Sequence, residues 1–146
     1  MLGPLSDCKK DPKEPIVLFG YSRGAITATE IAGWILNNKK DFSCARVFIV
    51  GIDPVTLTGP GPVNVPADVE DWVSWYQKNG GGSGPWKVIT ANFANLDGTT
   101  MSGGKAGSNH LVTLNRRGFP VSHAGMPEQT RGDVTGAINA FKNRKN

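Results

Sequence analysis

Apolar positions fall in short blocks separated by polar and glycine-rich stretches, and each block has a readable period. Ile16-Val17-Leu18-Phe19 is a continuous apolar run between Pro15 and Gly20. It is too short for a helix and predicts a buried strand. After Gly24 the period changes: Ala25, Ala28, Ile31, Ala32 and Ile35 recur at helical spacing, and Asn37-Asn38 close the helix. Arg46-Val47-Phe48-Ile49-Val50 is a second buried run, ended by Gly51 with Asp53-Pro54 just beyond. A strand, a helix and a strand in about 35 residues make a βαβ unit, with parallel strands and a right-handed crossover expected.

Residues 56–66 are rich in Gly, Pro and Thr and read as loop. Val69, Trp72, Val73 and Tyr76 return to helical spacing, with Asp68 at the start and Asn79 and the glycines of 80–84 at the end, and predict a second helix. Residues 86–93 and 110–114 read as two more strands around a polar loop that holds Asp97. Val134, Ala137, Ile138 and Phe141 follow the i, i+3, i+4, i+7 pattern of a last helix that lays one stripe on a sheet. The expected order is β-α-β-α-β-β-α, an α/β fold with a small, mostly parallel sheet flanked by helices. No internal repeat is visible, and residues 1–146 are expected to form one domain, irregular over 1–15.

Composition agrees. At 146 residues and 38% AVILMFWYC the chain has room for one real core. Gly (19) and Pro (10) take about 20% of positions, above the roughly 12% average but below the 25–30% of low complexity. The chain is therefore loop-rich and globular. No apolar run approaches the ~20 residues of a membrane-spanning helix, and the charged, proline-containing start carries no signal-peptide pattern. The net charge of +4 sits partly in Lys142, Arg144 and Lys145, read as a solvated helix end. No basic stretch is interleaved with aromatics, so nucleic acid is not an expected partner. Cys8 and Cys44 form no metal-type grouping with His110 and His123, the only histidines. They read as buried thiols, with one Cys8–Cys44 disulfide as the alternative. Trp34 reads as packing on the first helix. Trp72, Trp75 and Tyr76 are either packing residues or an acyl-binding lid.

Chemistry concentrates in Gly20-Tyr21-Ser22-Arg23-Gly24, a G-x-S-x-G pentapeptide between a predicted strand and a predicted helix. A serine hydroxyl is a poor nucleophile unless it projects into a cleft beside a base. A tight strand-to-helix turn provides that projection, with glycines on either side to avoid Cβ clashes. The same turn aims the first helical N–H groups at the place where an oxyanion would form.

On these residues the chain resembles the α/β-hydrolase fold, and within it lipases and related esterases. Residues 17–25 look like their nucleophile elbow, and Gly51-Ile52-Asp53-Pro54 is similar to the Gly-x-Asp-Pro of pancreatic-type lipases, where the Asp is the catalytic acid. Residues 65–69 and Trp75-Tyr76-Gln77 resemble bacterial lipase-like hydrolases with the same elbow. The resemblance implies a serine hydrolase of carboxylic esters that needs no metal or organic cofactor. Ser22 is the expected nucleophile, and the backbone N–H of Arg23 is one oxyanion donor. Asp53 is preferred to Asp97 as the acid, although both also read as ordinary turn residues. His123, in a loop before the last helix, is preferred as base to His110 at a strand start. Phospholipase and thioesterase activities are alternatives. So is a non-catalytic binding or assembly module, or the C-terminal part of a longer hydrolase. Members of the fold place several strands before the elbow, and a loop there donates the second oxyanion N–H. The resemblance thus implies a minimal or truncated core with a bare sheet edge, and a homo-oligomer that covers it.

Overall fold

A computed structural model describes residues 15–38, 40–56, 61–80 and 97–144. The first apolar run and the second become β1 (Pro15–Tyr21) and β2 (Arg46–Ile52), joined through α1 (Arg23–Asn37). Three short strands, β3 (Val63–Val65), β5 (Met101–Gly103) and β6 (Ser108–Leu111), and one longer strand, β4 (Asp71–Tyr76), follow. A single 3₁₀ turn at His123–Gly125 leads into the last helix, α2 (Met126–Lys142). The main sheet runs β1-β2-β4-β6 with every neighbouring pair parallel. β3 and β5 form a separate parallel pair.

Every residue of β2 is buried, because helices cover both faces of the sheet. Alternation along the strand divides the core. Val47 and Ile49 pack with Ala28, Ala32 and Ile35 of α1, while Phe48, Val50 and Ile52 pack with Met126, Val134 and Phe141 of α2. Small residues at the α1 contact let that helix lie close to the sheet; Ala25 and Ala32 are fully buried. The fold is thus a three-layer α/β arrangement with a small parallel sheet, as the hydrophobic pattern predicts.

Several expectations need correction. The helix expected over 69–76 is the strand β4. Its two faces are both covered, Trp72 on the α1 side and Val73 on the α2 side. A doubly buried strand shows no alternation, and here its apolar positions imitate helical spacing. The β-rich content of Trp72, Val73, Trp75 and Tyr76 decides it. Trp72 is therefore core, donating its indole N–H to the Gly103 carbonyl at 2.8 Å, and the lid reading falls with the helix. Trp34 packs little: it is 59% exposed and meets Phe42 edge-on. The 56–66 loop contains β3, and the strand expected over 110–114 starts earlier, at Ser108, and ends at Leu111.

Of the C-terminal cations, Lys142 is exposed as a solvated end requires and Lys145 lies outside the described residues, but Arg144 differs. Arg144 pairs with Asp71 at 2.6 Å and stacks its guanidinium on Phe48 and Phe141. Arg46, itself paired with Glu70 at 2.9 Å, donates to the Arg144 carbonyl. The end of α2 is latched to the amino end of the sheet. Cys44 is disulfide-bonded, which replaces the buried-thiol reading. Its only possible partner by sequence, Cys8, lies outside the described residues. The strand expected at 86–93 and part of the glycine run at 80–84 lie outside them too; of the 1–15 stretch expected to be irregular, 1–14 lies outside and Pro15 is the first residue of β1. Among the described residues no helix is long and apolar enough to cross a membrane.

Candidate active site

Parallel register brings three chain exits to one edge. Tyr21 lies opposite Ile52, so Ser22 and Asp53 leave adjacent strands at the same level. Ile52 lies opposite Trp75, which sets the end of β4 beside them. Ser22 takes φ 60° and ψ −127°, outside the common regions for a residue with a side chain. Its N–H donates to the Ile52 carbonyl at 2.9 Å, and α1 begins at the next residue. The turn is so tight that a Cβ on Gly20 would overlap the Gly24 carbonyl. A Cβ on Gly24 would meet nothing. The steric need for glycine thus holds at the first position of the pentapeptide and not at the last.

Asp53 follows with φ 43°. Among the described residues only three non-glycines have positive φ, and Ser22 and Asp53 are two of them. Such strain persists only where the surroundings over-determine it. The Asp53 N–H donates to the Trp75 carbonyl at 2.6 Å, and its side chain is completely buried. A buried carboxylate is costly unless its oxygens are satisfied. Oδ1 accepts the Gln77 backbone N–H at 3.0 Å, and Oδ2 accepts the Gln77 side-chain amide at 2.8 Å and His123 Nδ1 at 2.5 Å. The Gln77 side-chain oxygen accepts the Asn79 N–H, which fixes the amide's orientation.

His123, also fully buried, is held from several sides. Its backbone N–H donates to the Gly80 carbonyl at 2.8 Å. The Tyr21 hydroxyl donates to its carbonyl at 2.7 Å, and the Tyr21 ring stacks on the imidazole at 4.9 Å. Asn79 ties down the approaching loop by donating to the carbonyls of Thr113 and Val121. A carboxylate only accepts, so the proton sits on Nδ1 and the lone pair of the neutral ring is on Nε2. Nε2 lies 3.0 Å from Ser22 Oγ. The arrangement can draw a proton from the serine hydroxyl and hold the resulting imidazolium beside a carboxylate. Arg23 is the first residue of α1, and N–H groups of a first helical turn have no acceptor within the helix.

The structure therefore brings Ser22, His123 and Asp53 into one hydrogen-bonded chain, with the Arg23 backbone next to it. It does not bring Asp97 or His110 there. Asp97 Oδ1 accepts the Gly80 N–H at 2.9 Å, shaping the backbone that in turn holds His123. His110 is exposed on β6, stacked on Trp75 at 5.6 Å, with Nε2 3.1 Å from Ser108 Oγ. Sequence reasoning missed Gln77, Tyr21 and Gly98. A side chain on Gly98 would collide with Asp53 Oδ1, and the Gly98 N–H donates to the Gln77 carbonyl at 2.8 Å. Once β4 is seen as a strand, a glutamine just past its carboxyl end is the signal for Gln77. Among the described residues no group of three or more His, Cys, Asp and Glu is placed to hold a metal ion.

Burial pushes the Tyr21 phenol up from 10.0 to about 12, and the negative charge of Asp53 adds to the shift. A raised native pKa means that the unfolded chain loses this proton first. The associated stability is complete below pH 10 and declines toward pH 12. Denaturant midpoints measured below pH 10 and again toward pH 12 should fall less in Tyr21→Phe than in the parent protein; equal losses would contradict the assignment. The turn gives a second expectation. Gly20→Ala should cost about 2–3 kcal/mol because only backbone can move aside. Gly24→Ala should be neutral or gain up to about 1 kcal/mol as a helix residue. Guanidinium unfolding of both variants reads the contrast. No protein-family model, curated protein or solved structure matches this chain.

Proposed function

We propose that this chain is a serine hydrolase of carboxylic esters, with Ser22 as nucleophile, His123 as base and Asp53 as the acid that orients it. The observation that carries the reading is the unbroken chain Ser22 Oγ–His123 Nε2 at 3.0 Å and His123 Nδ1–Asp53 Oδ2 at 2.5 Å, built on a strained serine. Ser22 Oγ attacks the acyl carbon while its proton passes to Nε2. The tetrahedral intermediate collapses, the alcohol leaves with that proton, and water releases the acyl group by the same route. The Arg23 N–H is one oxyanion donor. Asp53 stabilises the imidazolium without taking its proton. Esters are preferred to amides on the resemblance of the elbow and the Gly-x-Asp-Pro turn to lipases and esterases.

A fluorophosphonate probe should label Ser22, and denaturation beforehand should abolish the labelling. Ser22→Ala should remove hydrolysis of a short p-nitrophenyl ester, a loss on the order of 10⁶ where the whole relay contributes. Asp53→Asn should cost roughly 10⁴ through the wrong imidazole tautomer. Asp97→Asn and His110→Ala should change turnover far less than Asp53→Asn and His123→Ala. Full activity in Ser22→Ala would refute the reading.

The oxyanion site needs a second donor, whose loss costs about 10²–10³ in rate. We propose that a second copy of the chain covers the outer edge of β1 and takes part in completing this site. Among the described residues β1 pairs on one side only, with β2, and Phe19 is 51% exposed. An apolar strand edge of this kind favours pairing. Light scattering and ester turnover along a dilution series should fall together. A monomer with undiminished activity would refute the assembly.

A further inference from the structure

A polar cavity of about 890 Å³ opens between the 115–120 turn and the outer face of α2. Arg116 and Arg117 come to it from the turn and Arg131 from the helix, with Glu128 the one acidic residue among its lining groups. Glu128, Arg131 and Thr135 share one helix face, away from the buried Met126, Thr130, Val134 and Phe141. Among the described residues none of the three arginines has an ion-pair partner. The turn that carries two of them is rigidly built. Leu114 bridges Pro120, the Asn115 N–H donates to the Phe119 carbonyl at 2.7 Å, and Asn115 Oδ1 accepts the N–H groups of Arg117 and Phe119. Arginine forks suit phosphate oxygens, and the ordered turn backbone fixes where two of them start.

The same segment presents apolar side chains to solvent. Leu111, Leu114 and Phe119 are 52%, 54% and 64% exposed. A soluble polyanion would leave all three in water. An anionic lipid surface would accept the cations at its phosphates and the apolar groups just beneath. We propose that the 111–120 segment, with Arg131, docks this protein on a membrane surface rich in anionic phospholipid. Ser122 and Gly125, which flank His123, also line this cavity, so a docked headgroup would sit beside the loop that carries the histidine. The docking does not rest on the hydrolase reading.

The test is co-sedimentation with vesicles of phosphatidylcholine alone and of equimolar phosphatidylcholine and phosphatidylglycerol. The protein should pellet with the second and not the first, and binding should weaken with added salt. Each of Arg116→Gln, Arg117→Gln and Arg131→Gln should lower vesicle affinity about five-fold, as one cation near an anionic leaflet does. Phe119→Ser should also lower it, although no charge changes. All four side chains are solvent-exposed, and circular dichroism checks that the variants fold. Ser22→Ala should bind vesicles as the parent does, so a failure of the ester chemistry leaves this result readable. Vesicle binding that survives the triple arginine substitution would overturn the proposal. So would arginine-dependent binding of inorganic phosphate or an oligonucleotide that is indifferent to Phe119→Ser and occurs without vesicle binding.

Discussion

One buried carboxylate ties the site to the fold. Asp53 is completely buried, so the hydrogen bonds that its carboxylate oxygens need must come from protein. Its partners lie 24 and 70 residues away in sequence, Gln77 past β4 and His123 ahead of α2. Gly98, from yet another segment, leaves room for its Oδ1. Removing a hydrogen-bonding partner leaves a buried carboxylate oxygen unsatisfied, at about 1–3 kcal/mol. The placement of His123 is therefore a condition of stability, quite apart from any chemistry. A change that loosens this cluster should damage folding and site geometry together.

What allows those segments to meet is the parallel register of the main sheet. Parallel strands deliver their carboxyl ends to one edge, and residues one step beyond that edge become neighbours. Ser22 and Asp53 are such residues, and both take uncommon backbone conformations there. The two helices press on opposite faces of β2 and keep the sheet from shifting. A slip of one residue would send Phe48 and Ile49 to each other's face and separate Ser22 from Asp53 at the same time. The strain at the edge is thus held by the core behind it.

Much of this was legible because it is local. The β1-α1-β2 unit shows continuous apolar runs around a helical stripe, and α2 carries its stripe at Val134 and Phe141. β4 was not legible by period. Both of its faces are buried, which erases the alternation that marks a half-exposed strand, and Val69, Trp72, Val73 and Tyr76 fall at helix-like intervals. The cost of that misreading was Gln77, whose position at a strand exit makes it the carboxylate's main partner. Tyr21 was passed over as the variable letter of the pentapeptide, yet its ring stacks on His123.

By itself the sequence determined the class of fold, the strand-to-helix turn at Ser22 and a short set of acids and histidines that chemistry would need. These follow from neighbours along the chain: hydrophobic period, the glycine at position 20, a limited count of titratable residues. It left Asp53 against Asp97 and His123 against His110 to positional preference. Tertiary structure alone decided which pair meets Ser22, because that depends on strand register and on a loop returning from more than 100 positions away. Burial, which is a property of the packed layers and of no single segment, made Asp53 the carboxylate that needs a histidine and set Asp97 to holding backbone.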